Sequence, residues 1–170
     1  NAKVGVASST YGTLSLGRIQ TVFFNALTAF SPYGEASMGA SVAQMAGGFP
    51  TLYLMQTQFA LDGATPDELD RATVAIIDHA WSNSLVYDTP DFDGLSASFQ
   101  VGLKEGDSNG GNHALAVRLN AEELQAAFAY QSVKVGLPAV SATSNNRWVA
   151  GVSYDFSILT AYAQVGQDKF

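Results

Sequence analysis

The 170-residue chain contains no cysteine. Disulfide staples and thiolate metal sites are thereby excluded, and the redox state of its compartment leaves no mark on the sequence. Charge is scarce. Asp, Glu, Lys and Arg together make up 14%, where soluble domains carry about a quarter. Basic residues are scarcest: Lys plus Arg number 8 against 15 Asp plus Glu, a formal net charge of −7. Nucleic acid is a poor partner for such a chain, because its phosphates need a basic patch. No apolar run approaches the ~18 residues of a membrane-spanning helix. Motifs are missing as well. There is no GxSxG, phosphate-binding loop, GxGxxG or HExxH, so no catalytic residue, cofactor or metal site is expected. Residues 1–6 already alternate like strand, unlike the basic region and apolar core of a leader peptide.

What is present is alternation. In residues 95–104, Leu95, Ala97, Phe99, Val101 and Leu103 fall on one face, and Ser96, Ser98, Gln100, Gly102 and Lys104 on the other. A period of two over ten residues is a β-strand with one apolar and one polar side. In a soluble sandwich the apolar side points inward; in a membrane barrel it points to lipid and the polar side meets water. A mean hydropathy of +0.09 with 14% charge suits a wall in lipid better than a soluble surface. The expected fold class is all-β, an antiparallel up-and-down transmembrane barrel in one domain over residues 1–170.

In chain order, strands are expected at 3–8, 13–20, 81–88, 95–104, 112–120, 123–135, 147–155 and 158–166, eight in all. Strict alternation puts Arg18 on the side of Leu14 and Leu16; either a bulge at Gly17 turns it to the polar side or the strand ends there. Residues 22–27 prolong that strand. Residues 21–80 otherwise break the pattern. Thr65, Pro66 and Glu68 form a capping box opening a short helix, and residues 52–60 suit another. Short turns lie near 10, 92, 121 and 157, and longer loops near 50, 108 and 141. This alternation of short and long connections belongs to membrane barrels. Tyr11, Tyr87, Phe92, Tyr154 and Phe156 sit near the short turns, with Trp81 and Trp148 at the opposite strand ends, as two aromatic girdles would. Asp88, Asp91 and Asp93 with Gly94 only loosely resemble a calcium loop, and turn chemistry accounts for them.

Three stretches resemble a known family. Tyr11-Gly12-Thr13-Leu14-Ser15-Leu16-Gly17-Arg18, followed by Ala26-Leu27, resembles the strand leading into the constriction loop of Gram-negative trimeric general porins. Asn83–Leu95 is similar to a hairpin of the proteobacterial porins outside the enteric group, and Gly151–Phe156 to a recurrent strand ending of the same proteins. The resemblance implies a 16-stranded barrel, a homotrimer in the outer membrane among lipids and lipopolysaccharide, and passive diffusion of small hydrophilic solutes and ions. It also implies that eight strands are a central piece, about half a subunit, forming an open partial barrel.

By the same resemblance, residues 28–80 hold the loop that folds into the pore. Glu35 matches its acidic position, and Asp78 adds a further carboxylate beside His79. Arg18 matches a wall cation, which favours the bulge. Lys3 and Arg118 fall on the polar face by alternation alone. Two family cations are lost, one near Ala80 and one at Val86, so weak anion preference or a cation preference is expected. The readings from other classes are a soluble β-sandwich binding module and a small eight-stranded outer-membrane barrel with binding or hydrolase activity. The latter needs a Ser-His-acid cluster built on His79 or His113.

Overall fold

A computed structural model describes residues 2–31, 65–66, 80–103, 111–137 and 140–169. Eight strands follow one another in a single antiparallel sheet whose spatial order is the chain order. They are β1 (Ala2–Ser8), β2 (Gly12–Gln20), β3 (Ala80–Asp88), β4 (Leu95–Gly102), β5 (Asn112–Ala121), β6 (Leu124–Leu137), β7 (Val140–Asp155) and β8 (Thr160–Lys169). β1 and β8 are the two edges, so the sheet is open. A short helix, α1 (Val22–Ala29), follows β2 and lies on one side of the sheet; that side is called inner below.

The short turns are built by local chemistry. Phe92 and Leu95 exchange backbone hydrogen bonds of 2.8 and 3.2 Å around Asp93-Gly94. Both central residues have positive φ, 58° and 86°, which is the primed hairpin turn that matches strand twist. Asp91 Oδ1 accepts the Gly94 N–H at 2.8 Å, and a side chain at Gly94 would strike the Asn120 carbonyl. The turns at 122–123 and 156–159 also carry a positive φ each, at Glu122 and Ser157.

The apolar face points outward. Val4, Val6, Leu14, Leu16, Phe99, Leu115, Val117, Phe128 and Val165 are all exposed. A soluble sandwich would have buried this face as its core, so that alternative fails. The inner face is small and polar instead. Ser15, Ser84, Ser98, Gln100 and Asn112 are buried there, and Ala114, Ala116 and Ala129 form a flat floor with no exposed surface.

Residues 22–27 do not prolong β2: they are helical. Three successive bulky residues, Val22-Phe23-Phe24, cannot all face one side of a strand. Thr21 has extended backbone and its hydroxyl accepts the Phe24 N–H at 3.1 Å, capping a helix instead. Val22, Phe23, Phe24, Ala26 and Leu27 are then buried against the alanine floor of β5 and β6 and against β7. An eight-residue helix is marginal alone. Each buried large apolar side chain contributes about 1.5–3 kcal/mol, which outweighs any single hydrogen bond at about 0.5–1.5 kcal/mol. Burial holds the helix down, and hydrogen bonds decide where it sits.

Two further expectations change. Of the loop expected at 136–146, residues 136–137 and 140–146 are strand: Leu137 pairs with Val140, and β6 and β7 run as one long hairpin past both neighbours. Trp81 is not part of an outer girdle but is buried on the inner face among α1 residues. The cause is a bulge. Gly17 pairs with Ser84 but Ile19 pairs with Trp81, so Ser82 and Asn83 together face Arg18. Asn83 takes φ 47°, and the extra residue reverses the parity of everything before it. A bulge does lie beside Gly17, but the inserted residue belongs to the facing strand, β2 continues to Gln20, and Arg18 is not turned to the polar side: it pairs with Ala2 in the outer series of Val4 and Leu16. Thr65 and Pro66 are described and Pro66 is helical. The rest of that capping box, the helix at 52–60 and Phe170 lie outside the described residues.

Candidate functional site

The inner face carries two charge clusters and one helix anchor. The first cluster sits at the short-turn end. Arg118 Nη1 donates to Ser98 Oγ at 3.0 Å, and Ser98 Oγ donates to Asp88 Oδ1 at 2.6 Å. Register explains the meeting: Asp88 pairs with Ser98, while Arg118 pairs with Ser96 one step along. The serine hydroxyl links carboxylate and guanidinium that do not touch directly. Charge-assisted bonds of this kind hold a long side chain in one pose.

The second cluster lies on β6, β7 and β8. Arg147 Nε stands 3.0 Å from Asp168 Oδ2 as an ion pair, without the linear geometry of a hydrogen bond. Asn145 Nδ2 donates to Asp168 Oδ1 at 2.5 Å. Arg147 Nη2 and the Oε1 of its cross-strand neighbour Gln131 are buried without a hydrogen-bond partner among the described residues. Both arginines thus lie near a carboxylate, which weakens the field each projects.

The anchor fixes α1. Gln100 has no exposed surface. Its Oε1 accepts the Val22 N–H at 2.9 Å, and its Nε2 donates to Ser84 Oγ at 3.2 Å and to the Ile19 carbonyl at 3.4 Å. Ser84 Oγ in turn donates to the Gly17 carbonyl at 3.1 Å. At the far end, Gln164 Nε2 donates to the Leu27 carbonyl at 2.7 Å. Phe30, just past the helix, rests on Gly151: a Cβ there would stand 2.7 Å from Phe30 Cγ.

Of the expected site residues, Arg118 is on the inner wall, half-buried and partnered as above. Lys3 pairs with Gly17 on the inner side of β1 and is exposed. Arg18 is exposed, pairs with Ala2 and lies opposite the bulge, next to Gly17 at φ 139°. Glu35, Asp78 and His79 lie outside the described residues. Val86 is buried on the inner face in the cluster that includes α1. His113 is on the outer side, its ring 6.0 Å from Tyr130 and its Nδ1 3.3 Å from the Gly111 carbonyl.

Sequence reasoning passed over Asp88, Gln100, Arg147, Gly151, Gln164 and Asp168. Alternation already put Gln100 on the polar face of its strand. Nothing local says that its amide meets residue 22, because that contact spans 78 positions. Asp88 was read only as turn chemistry, although it alternates with Ser84 and Val86.

A profile of the family described as Gram-negative porin matches residues 1–169. Among solved structures, an anion-selective porin from Comamonas acidovorans has the same fold, with a TM-score of 0.65 at 18% identity. The match covers 99% of this chain and 46% of that one, so the chain spans under half the length of that porin. No curated protein matches by sequence.

Proposed function

The chain belongs to the Gram-negative porin family, whose place is the outer membrane, and from that premise we propose that it forms wall of a water-filled channel for passive diffusion of small hydrophilic solutes and ions. The observation that carries this reading is the two-faced sheet. Its outer side exposes Leu14, Leu16, Phe99 and Val117, while its inner side is polar and bears a helix that narrows the space beside it. Lipids and lipopolysaccharide are the expected surroundings, and a homotrimer the expected assembly. A channel, rather than an enzyme, is what this wall supports. The hydrolase alternative loses one of its two histidines, since His113 faces outward beside Tyr130.

Selectivity in this reading comes from charges along the inner wall and the segment 28–80 that follows β2. Lys3 and Arg118 supply positive charge; Glu35 and Asp78, with His79 beside it, supply the facing groups. Asp88 offsets Arg118, and Asp168 offsets Arg147. Both pairings support weak anion preference, or preference for cations.

Reversal potentials across planar bilayers in a salt gradient test this. A unit charge about 8 Å from a passing ion in water is worth about 0.5 kcal/mol. Asp88→Asn is therefore expected to shift the permeability ratio toward anions by about twofold, and Arg118→Ser to shift it the other way. A strong anion preference in the unmodified protein would overturn the selectivity reading, and absence of conductance would overturn the channel. The chain also has no cysteine, so a single thiol is unambiguous. Ala29→Cys at the exposed end of α1 should react with a charged thiol reagent and lower single-channel conductance; unchanged current after complete labelling would place α1 away from the pore.

A further inference from the structure

We propose that Gln100 and Gln164 are positioning residues that clamp the two ends of α1 to the wall, and that they set channel cross-section without contributing to ion preference. The inference rests on the channel reading above. Three observations lead to it.

First, α1 has no charged residue to hold its ends: there is no acid in its first turn and no base in its last. Helix ends leave N–H and C=O groups unsatisfied, and these need partners when buried. Second, the partners come from the wall rather than from the helix itself. Thr21 caps the Phe24 N–H locally, but the Val22 N–H goes to Gln100 on β4 and the Leu27 carbonyl to Gln164 on β8. The two clamps thus reach the helix from strands four apart in the sheet. A helix held between them can rock only if one amide lets go. Third, both clamps are neutral. Gln100 uses its acceptor once and its donor group twice, and Ser84, equally without exposed surface, locks the amide by binding Nε2 with one lone pair while donating to the Gly17 carbonyl. A buried polar network so connected specifies one geometry. A carboxylate at position 100 could accept the Val22 N–H and an ammonium at position 164 could donate to the Leu27 carbonyl, but either would also tilt the field in the channel.

Charge and position are thereby carried by separate residues, and the separation can be measured. In planar bilayers, Gln100→Met and Gln164→Met are expected to raise open-channel current noise severalfold and to change single-channel conductance, while the reversal potential in a salt gradient stays at the unmodified value. A merely structural role would lower the yield of folded protein and leave the noise of the surviving channels unaltered. Ser84→Ala, which removes only a hydroxyl, should give the same change in smaller measure and guards against misfolding of Gln100→Met. A second readout needs no conductance. With Ala29→Cys as reporter in detergent-folded protein, the thiol-labelling rate is expected to rise severalfold when Gln164→Met is added. Unchanged noise and an unchanged labelling rate in these variants would overturn the clamp. A shift in reversal potential would overturn the separation of position from charge. Absence of current in the unmodified protein would instead strike the channel reading, and the labelling rate would still decide the clamp.

Discussion

Val117→Arg is expected to cost about 2–4 kcal/mol of folding free energy in lipid vesicles, the penalty for a cation on the lipid face near mid-bilayer. Val117 lies near the middle of β5, pairs with Ala97 and Phe128, and is exposed on the outer side. Gln125→Arg is the control. Gln125 is on the inner side of β6, opposite Asn120, and is also exposed, so its replacement should stay within about 0.5 kcal/mol. Denaturant midpoints of vesicle-inserted protein, together with gel mobility before and after heating, give both values. Equal tolerance at the two positions would mean that the exposed apolar face does not meet lipid. The contrast introduces one residue type on two sides of one sheet, and the strand-propensity difference between Val and Gln, within about 1 kcal/mol, is smaller than the lipid penalty.

The second large effect concerns the seat of Phe30. Phe30 is 5% exposed and its ring fills the space left by the missing side chain of Gly151. Phe30→Ala should cost about 3–5 kcal/mol through lost burial and the cavity left behind. Gly151→Val should cost about 1–3 kcal/mol through overpacking, because the ring and its Cβ must move together. The two changes touch the same volume, so they should not add. In the double variant the valine occupies part of the cavity, and the measured cost should fall at least 1 kcal/mol below the sum, within the usual range for contacting residues. Strict additivity would show that the ring and the glycine do not share the site. The same variants release the end of α1, so their channels should also be noisier.

Much of the wall was legible because it is local. The alternation in 95–104 and 112–120 sorted outward-facing from inner residues, and a short turn near 92 was legible in its residues. Arg118 and Lys3 fell on the inner side by counting alone. The errors have one physical origin each. Residues 22–27 looked like more strand because Val and Phe favour strands, but three bulky residues in a row needed a surface on one side only, and the alanine floor supplied it. Trp81 was placed outside because period-two counting assumes an unbroken ladder, and one inserted residue at Ser82-Asn83 reverses every face before it. Residues 140–146, read as loop for their turn formers, are strand because β6 and β7 pair along almost their whole length.

The sequence by itself determined that this chain is a two-faced sheet of eight strands joined by alternating short and long connections, because side-chain period and turn chemistry act over a few residues. Only the tertiary structure decided where the helix rests, which glutamines hold it, and which carboxylate quiets which arginine. Those contacts join Val22 to Gln100, Leu27 to Gln164 and Asp88 to Arg118. They depend on strand register, and register is a property of the assembled sheet that no short window of sequence contains.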